Sequence, residues 1–196
     1  MNAAHFFTFL RILICPLFPV LYLGREWLGI SLQWLPLILL VLLVVSEFSD
    51  LFDGFLARKR NQVTDLGKVL DPMADSITHI SIFLAFTQGF VQLPLWIVLI
   101  FLYREFFIST LRTLCALRGV ALAARFSGKV KAVMQAVVAF LIIGLMIPYA
   151  SGALSLELLQ NISLWAALVT AIYTVLSALD YFYSNRVYIK KALESL

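Results

Sequence analysis

Charge is scarce in this sequence. Only 13% of the 196 residues are Asp, Glu, Lys or Arg, while 62% are hydrophobic and the mean hydropathy is +0.97. No soluble domain needs that much apolar surface, so the composition excludes one and points to an integral membrane protein. Cysteine is nearly absent. Cys15 and Cys115 fall in apolar or cytoplasm-proximal segments with no zinc-ligand spacing, and are read as packing residues. Neither an internal repeat nor a low-complexity stretch divides the chain, which is expected to form one membrane domain over 1–196. The first apolar run, RILICPLFPVLYLG, carries two prolines, lacks a small-x-small cleavage site and leads straight into another apolar segment. It is therefore expected to stay in the mature protein.

What is present is a series of apolar runs near the roughly 20 residues that cross a bilayer. They lie at 12–24, 34–49, 73–90, 92–110, 132–150 and 162–182, predicting an all-α, polytopic protein with six transmembrane helices. Thr8 and Arg11, three apart on one face, mark residues 1–11 as a candidate interfacial helix. With a cytoplasmic N-terminus, the connections after the second and fourth helices and the C-terminus are cytoplasmic too. These hold Arg58, Lys59, Arg60, Lys68, Arg112, Arg118, Arg125, Lys129, Lys131, Arg186, Lys190 and Lys191, whereas the opposite connections hold only Arg25. The net charge of +4 thus faces anionic lipid headgroups and anionic substrates. Nucleic acid is not an expected partner, because the basic residues punctuate membrane helices instead of forming a basic module.

The few acidic residues are clustered. Of eleven in the chain, Asp50, Asp53, Asp65, Asp71 and Asp75 fall in SDLFDGFLARKRNQVTDLGKVLDPMADS, residues 49–76. Asp50, Asp53, Gly54 and Ala57 follow the i, i+3, i+4, i+7 spacing of one helical face, and Gly67, Asp71, Asp75 and His79 repeat every four residues. A turn of Arg, Lys, Asn and Gln between them would bring the stripes face to face. Four converging carboxylates repel one another and need cations. All-oxygen ligation suits Mg²⁺ or Mn²⁺, and two such ions roughly 4 Å apart form a clamp for phosphoryl transfer. The bland reading, a solvated face paired with nearby Arg and Lys, suits two isolated aspartates better than four with small residues interleaved. Gly54, Ala57 and Gly67 leave room for a bulky ligand, and Arg58 offers a planar fork to phosphate or to an aspartate. Pro72 leaves two options: the third helix starts at Asp71 with proline in its first turn, or it begins near Asp65 and bends at Pro72.

Read as D-x2-D-G-x2-A-R-x8-G-x3-D-x3-D, the residues Asp50, Asp53, Gly54, Ala57, Arg58, Gly67, Asp71 and Asp75 match every position of the signature of the CDP-alcohol phosphatidyltransferases. The resemblance covers most of the chain and is strongest to the bacterial branch that uses glycerol phosphate. FFTFLRILICPLFPV, YREFFISTLRTLCALRG and FSGKVKAVMQ support it, while NAAHFFT, the stretch that holds Asn2 and His5, replaces the N-I-P-x-x-L-T of relatives. The resemblance implies a six-helix, usually homodimeric enzyme of the bacterial cytoplasmic (inner) membrane, with active site and both termini facing the cytoplasm. It implies CDP-diacylglycerol and sn-glycerol 3-phosphate as substrates and CMP as leaving product. It also implies that Asp50, Asp53, Asp71 and Asp75 hold two divalent ions, Mg²⁺ or Mn²⁺, and that Asp75 is the catalytic base. Gly54, Ala57, Arg58, Thr64 and Gly67 would line the CDP-diacylglycerol site.

The acceptor brings a dianionic phosphate, so a second basic pocket is expected, with Arg112, Lys129 and Lys131 as candidates. Positive-inside topology alone also places basic residues there, and Arg118 and Arg125 need do nothing more. Arg104 and Glu105 lie deeper in an apolar run and read as functional charges or as an ion pair locking helices. His79, one turn past Asp75, reads as packing or a hydrogen-bond partner behind the ligands rather than a ligand, since hard ions prefer oxygen. Glu47, three residues before Asp50, is either a further ligand or, as favoured here, a partner behind them or a bond to a neighbouring helix. Sister enzymes using serine, inositol phosphate or phosphatidylglycerol share the aspartates and differ in the acceptor pocket. Intramembrane prenyltransferases resemble longer chains whose acidic motifs lie far apart. A divalent-cation transporter would place acids near the bilayer midplane of several helices.

Overall fold

The apolar runs become helices because a chain in hydrocarbon must satisfy its backbone polar groups internally. The computed structural model describes residues 15–59, 65–117 and 125–194, giving the helical backbone but not the side chains over 50–59, 65–72 and 191–194. Among the described residues there are six α-helices and no strand: α1 Leu17–Leu23, α2 Leu35–Lys59, α3 Asp65–Ala85, α4 Leu95–Leu117, α5 Phe126–Ala150 and α6 Leu156–Glu194. They follow the order of the expected runs. Helices α5 and α6 each contain a segment long and apolar enough to cross a membrane, and α2 and α3 carry shorter apolar stretches, Leu35–Ser49 and Met73–Ala85. The expected interfacial helix at 1–11, together with Asn2 and His5, lies outside the described residues.

The chain divides into two compact units, one of Met1–Leu93 and Ala139–Ser163, the other of Pro94–Val138 and Leu164–Leu196. In the first, α2 buries Leu35, Leu39, Leu43 and Ser46 along one stripe, and α1 packs against both α2 and α3. Phe86 takes the edges of Phe18 and Tyr22, each at 5.6 Å between ring centroids. Cys15, a buried thiol, donates to Ser81 Oγ at 3.1 Å and so packs as expected.

Tyr22 organises the turn after α3. Its hydroxyl donates to Gln88 O and accepts from Val91 N–H, both at 3.2 Å. Gly89 sits between them at φ +67°, and a Cβ there would stand 3.0 Å from the Tyr22 hydroxyl. Backbone strain and contact therefore act together. Gly89→Ala is expected to destabilise the protein by about 1–3 kcal/mol, read as a lower thermal midpoint in detergent; an unchanged midpoint would show that the turn relaxes freely. The same turn anchors later chain, since Gln160 Nε2 donates to Phe90 O at 2.8 Å and Tyr149 stacks on Phe90 at 5.4 Å.

In the second unit, α4 buries Ile97, Phe101, Ile108 and Cys115 on one stripe. Helix α6 buries Ala167, Thr170, Ala171, Thr174, Ser177 and Tyr181, mostly small residues that allow close helix approach. Its opposite face exposes Trp165, Val169, Ile172, Leu176 and Leu179, a surface suited to lipid. At 39 residues α6 is about 58 Å long, well beyond a hydrocarbon core of about 30 Å.

Candidate active site

Asp50 and Asp53 lie on α2, and Asp71 and Asp75 on α3. Helix α2 continues to Lys59, so the i, i+3, i+4, i+7 relation of Asp50, Asp53, Gly54 and Ala57 holds on the backbone. Helix α3 begins at Asp65 and runs through Pro72, which decides between the two options for this proline: it does not start the helix. Asp71 and Asp75 thus sit on successive turns of one helix. The side chains of Asp50, Asp53, Gly54, Ala57, Arg58, Gly67 and Asp71, and all of Thr64, lie outside the described residues.

Asp75 is described, and it is half-buried. Its Oδ1 lies 3.5 Å from His79 Nδ1, one turn along α3, and His79 Nε2 lies 3.1 Å from Glu47 Oε1 on α2. The imidazole is almost fully enclosed, with its side chain 3% exposed. Glu47 is one turn inward from Asp50 and His79 one turn on from Asp75. This contact joins α2 to α3 one turn along the backbone from Asp50 and Asp75. Glu47 thereby emerges as a bond to a neighbouring helix, and His79 as the group it bonds.

The basic candidates are distributed within the second unit. Arg112 Nε donates to Tyr181 Oη at 3.3 Å, with its guanidinium carbon 5.5 Å from the centre of that ring. Lys131 is buried and paired with Glu105, whose Oε1 also takes Arg104 Nη1 at 2.8 Å. Arg112 lies two turns beyond Glu105 on the same stripe of α4. Lys129, two residues before Lys131 on α5, points elsewhere and is exposed. Arg118 lies outside the described residues. Arg125 Nε donates to Asp180 Oδ2 at 2.9 Å, which also accepts from Ser127 Oγ at 2.6 Å, so Arg125 clamps α6. Asp180 and Tyr181 were not anticipated as partners. Their signal was available, because the acid at 180 interrupts an otherwise apolar helix.

Compared with protein families, residues 1–173 match the model of the CDP-alcohol phosphatidyltransferases. The chain belongs to this family. Among its relatives, a Bacillus subtilis (strain 168) protein named CDP-diacylglycerol--glycerol-3-phosphate 3-phosphatidyltransferase is 30% identical over 190 residues, 94% of this chain and 95% of its own. A Rickettsia typhi protein of the same name is 31% identical over 95% of this chain and 98% of its own. A Mycobacterium tuberculosis protein named probable phosphatidylglycerophosphate synthase is 31% identical over 92% of this chain and 79% of its own. As a CDP-alcohol phosphatidyltransferase the chain is a membrane enzyme of phospholipid biosynthesis, in a family that generally uses divalent metal ions.

Proposed function

We propose that this enzyme transfers the phosphatidyl group of CDP-diacylglycerol to sn-glycerol 3-phosphate, forming phosphatidylglycerophosphate and CMP. The observation that carries the reading is the unbroken eight-position signature on α2 and α3, in a chain whose relatives carry that activity in their names over nearly its full length. The acceptor hydroxyl attacks the phosphorus that bears diacylglycerol. A new P–O bond forms, the bond to the CMP phosphate breaks with its electron pair on CMP, and the hydroxyl proton passes to Asp75.

The donor set fits hard cations, since every side chain in it supplies carboxylate oxygen. Asp50, Asp53, Asp71 and Asp75 hold two divalent ions, Mg²⁺ or Mn²⁺, which when bound supply charge neutralisation on the pyrophosphate and the departing CMP. Gly54, Ala57, Arg58, Thr64 and Gly67 line the nucleotide side. Arg112, Lys129 and Lys131 serve the acceptor phosphate; what supports this is their basic charge, with Arg112 on the stripe of α4 that carries Glu105, the partner of Lys131. The whole chain acts as one domain in the cytoplasmic membrane, with both termini and the site on the cytoplasmic side, and works as a homodimer.

The test is an acceptor screen. Purified protein with CDP-diacylglycerol and Mg²⁺ is expected to release CMP with glycerol 3-phosphate and not with serine, inositol phosphate or phosphatidylglycerol. Release with one of those instead would reassign the acceptor. In the same assay Arg112→Ala is expected to raise KM for glycerol 3-phosphate about tenfold or more, the loss of a charge-assisted contact of about 1.5–3 kcal/mol, with a smaller change for CDP-diacylglycerol. Equal changes for both substrates would remove Arg112 from the pocket.

A further inference from the structure

Glu47 and His79 stand outside the eight signature positions, on different helices and 32 residues apart, yet they meet at 3.1 Å. His79 then reaches Asp75 with its other nitrogen, 3.5 Å from Oδ1. Both ring nitrogens thus lie near carboxylate oxygens, Nε2 at hydrogen-bond distance from Glu47 and Nδ1 at ion-pair distance from Asp75. The enclosure of His79 leaves the ring no freedom to turn away, since Thr78 and Ile82 beside it on α3 are buried as well.

From this geometry we infer that Glu47 and His79 form a bracket that positions Asp75, so that its carboxylate presents one fixed face to the metal and the acceptor hydroxyl. The inference rests on the reading of Asp75 as ligand and base. A half-buried aspartate on a helix can rotate its carboxylate about its terminal torsion, which is broad and without sharply staggered wells. An aspartate that would both hold a cation and take a proton loses rate steeply when misplaced, since errors of about 1 Å cost about 10²-fold. His79 removes that freedom from one side of Asp75. Glu47 in turn holds the ring, and because it lies on α2 it ties the orientation of Asp75 to the helix that carries Asp50 and Asp53. The two carboxylate pairs are thereby set relative to each other by a contact that contains none of the four. Partners of this kind behind metal ligands are worth about 10–100-fold in metal affinity or activity.

The bracket differs from mere helix packing in what it should change. His79→Phe fills the same space without either polar contact, and Glu47→Ala removes the outer anchor. In purified full-length protein, each is expected to weaken Mn²⁺ binding, measured by electron paramagnetic resonance without substrate, by about 10–100-fold. Each is also expected to lower kcat by a similar factor while KM for CDP-diacylglycerol stays within about threefold. The double variant should be no worse than the weaker single one, because the two residues act through one contact. Glu47→Gln keeps an acceptor oxygen for His79 and should retain most of the affinity. Should His79→Phe fail to fold, Glu47→Ala and Glu47→Gln carry the comparison, since Glu47 is partly exposed.

Wild-type Mn²⁺ affinity in either single variant, or losses that multiply in the double variant, would overturn the inference. The metal measurement also separates it from the acceptor assignment. A protein that binds Mn²⁺ but releases no CMP with glycerol 3-phosphate refutes that assignment, while the Mn²⁺ comparison still decides the bracket.

Discussion

Asp75→Asn is expected to lower CMP release by about three orders of magnitude or more while leaving the fold intact. The size follows from two losses at one atom pair. A positioned general base contributes about 10²–10⁴-fold, and an amide accepts no proton from an attacking hydroxyl. An amide is also a poorer partner for a hard cation than a carboxylate. The fold should tolerate the change, because Asp75 is half-buried at 30% side-chain exposure and Asn is its near-isostere. The substitution therefore belongs among those with small stability effects, and the thermal midpoint should stay within a few degrees of wild type. Turnover near the wild-type rate in purified Asp75→Asn protein would falsify the assignment of the base. Collapse of the thermal midpoint would instead make Asp75 a structural residue.

The reaction class was legible in the signature that includes Asp50, Asp53, Asp71 and Asp75, and helical periodicity assigned those residues to faces without any knowledge of the partner helix. The helices were legible for a related reason, as apolar runs report where a chain meets hydrocarbon. The ends of those helices were not. Helix α2 continues to Lys59, ten residues past the apolar run that ended at 49, and α6 continues to Glu194, beyond the run that ended at 182. Apolarity measures the thickness of the bilayer, whereas the backbone stays helical into water as long as no breaker intervenes. Pro72 illustrates the converse, a nominal breaker eight residues into α3 that the helix absorbs.

Contacts between elements were the least visible. Glu47 and His79, Glu105 and Lys131, and Arg112 and Tyr181 each meet across two helices. Nothing in one helix's periodicity says which face of another it meets. The sequence still marked most of these residues, since a charged or polar side chain inside an apolar run must find a partner. It could name the need without naming the partner. Arg104 and Glu105 show the limit clearly. The pair reads in the sequence as functional charges or a helix lock, and the structure joins its Glu105 to Lys131, a candidate for the acceptor phosphate.

Removal of divalent ions should be as severe as loss of Asp75, and it tests the other half of the mechanism. In the proposed site four carboxylates from α2 and α3 would repel one another, and one guanidinium at Arg58 would not offset four charges. Cations relieve this repulsion, so binding should stabilise the fold as well as support turnover. Excess EDTA is expected to bring CMP release to background, with recovery on adding Mg²⁺ or Mn²⁺. A thermal scan of the same samples should show the midpoint rising with metal concentration, corresponding to about 2.7 kcal/mol at 100 times Kd. Asp53→Asn and Asp71→Asn should flatten that dependence, because each removes an oxygen ligand, whereas Lys129→Ala should preserve it. Turnover undiminished in EDTA would take the cations out of the reaction and leave the carboxylates as a charged face needing another explanation. A metal-dependent midpoint with metal-independent turnover would assign the ions to the fold alone. Only the joint loss of both readouts supports the clamp, since it requires the same four side chains to hold the cations and the cations to carry the chemistry.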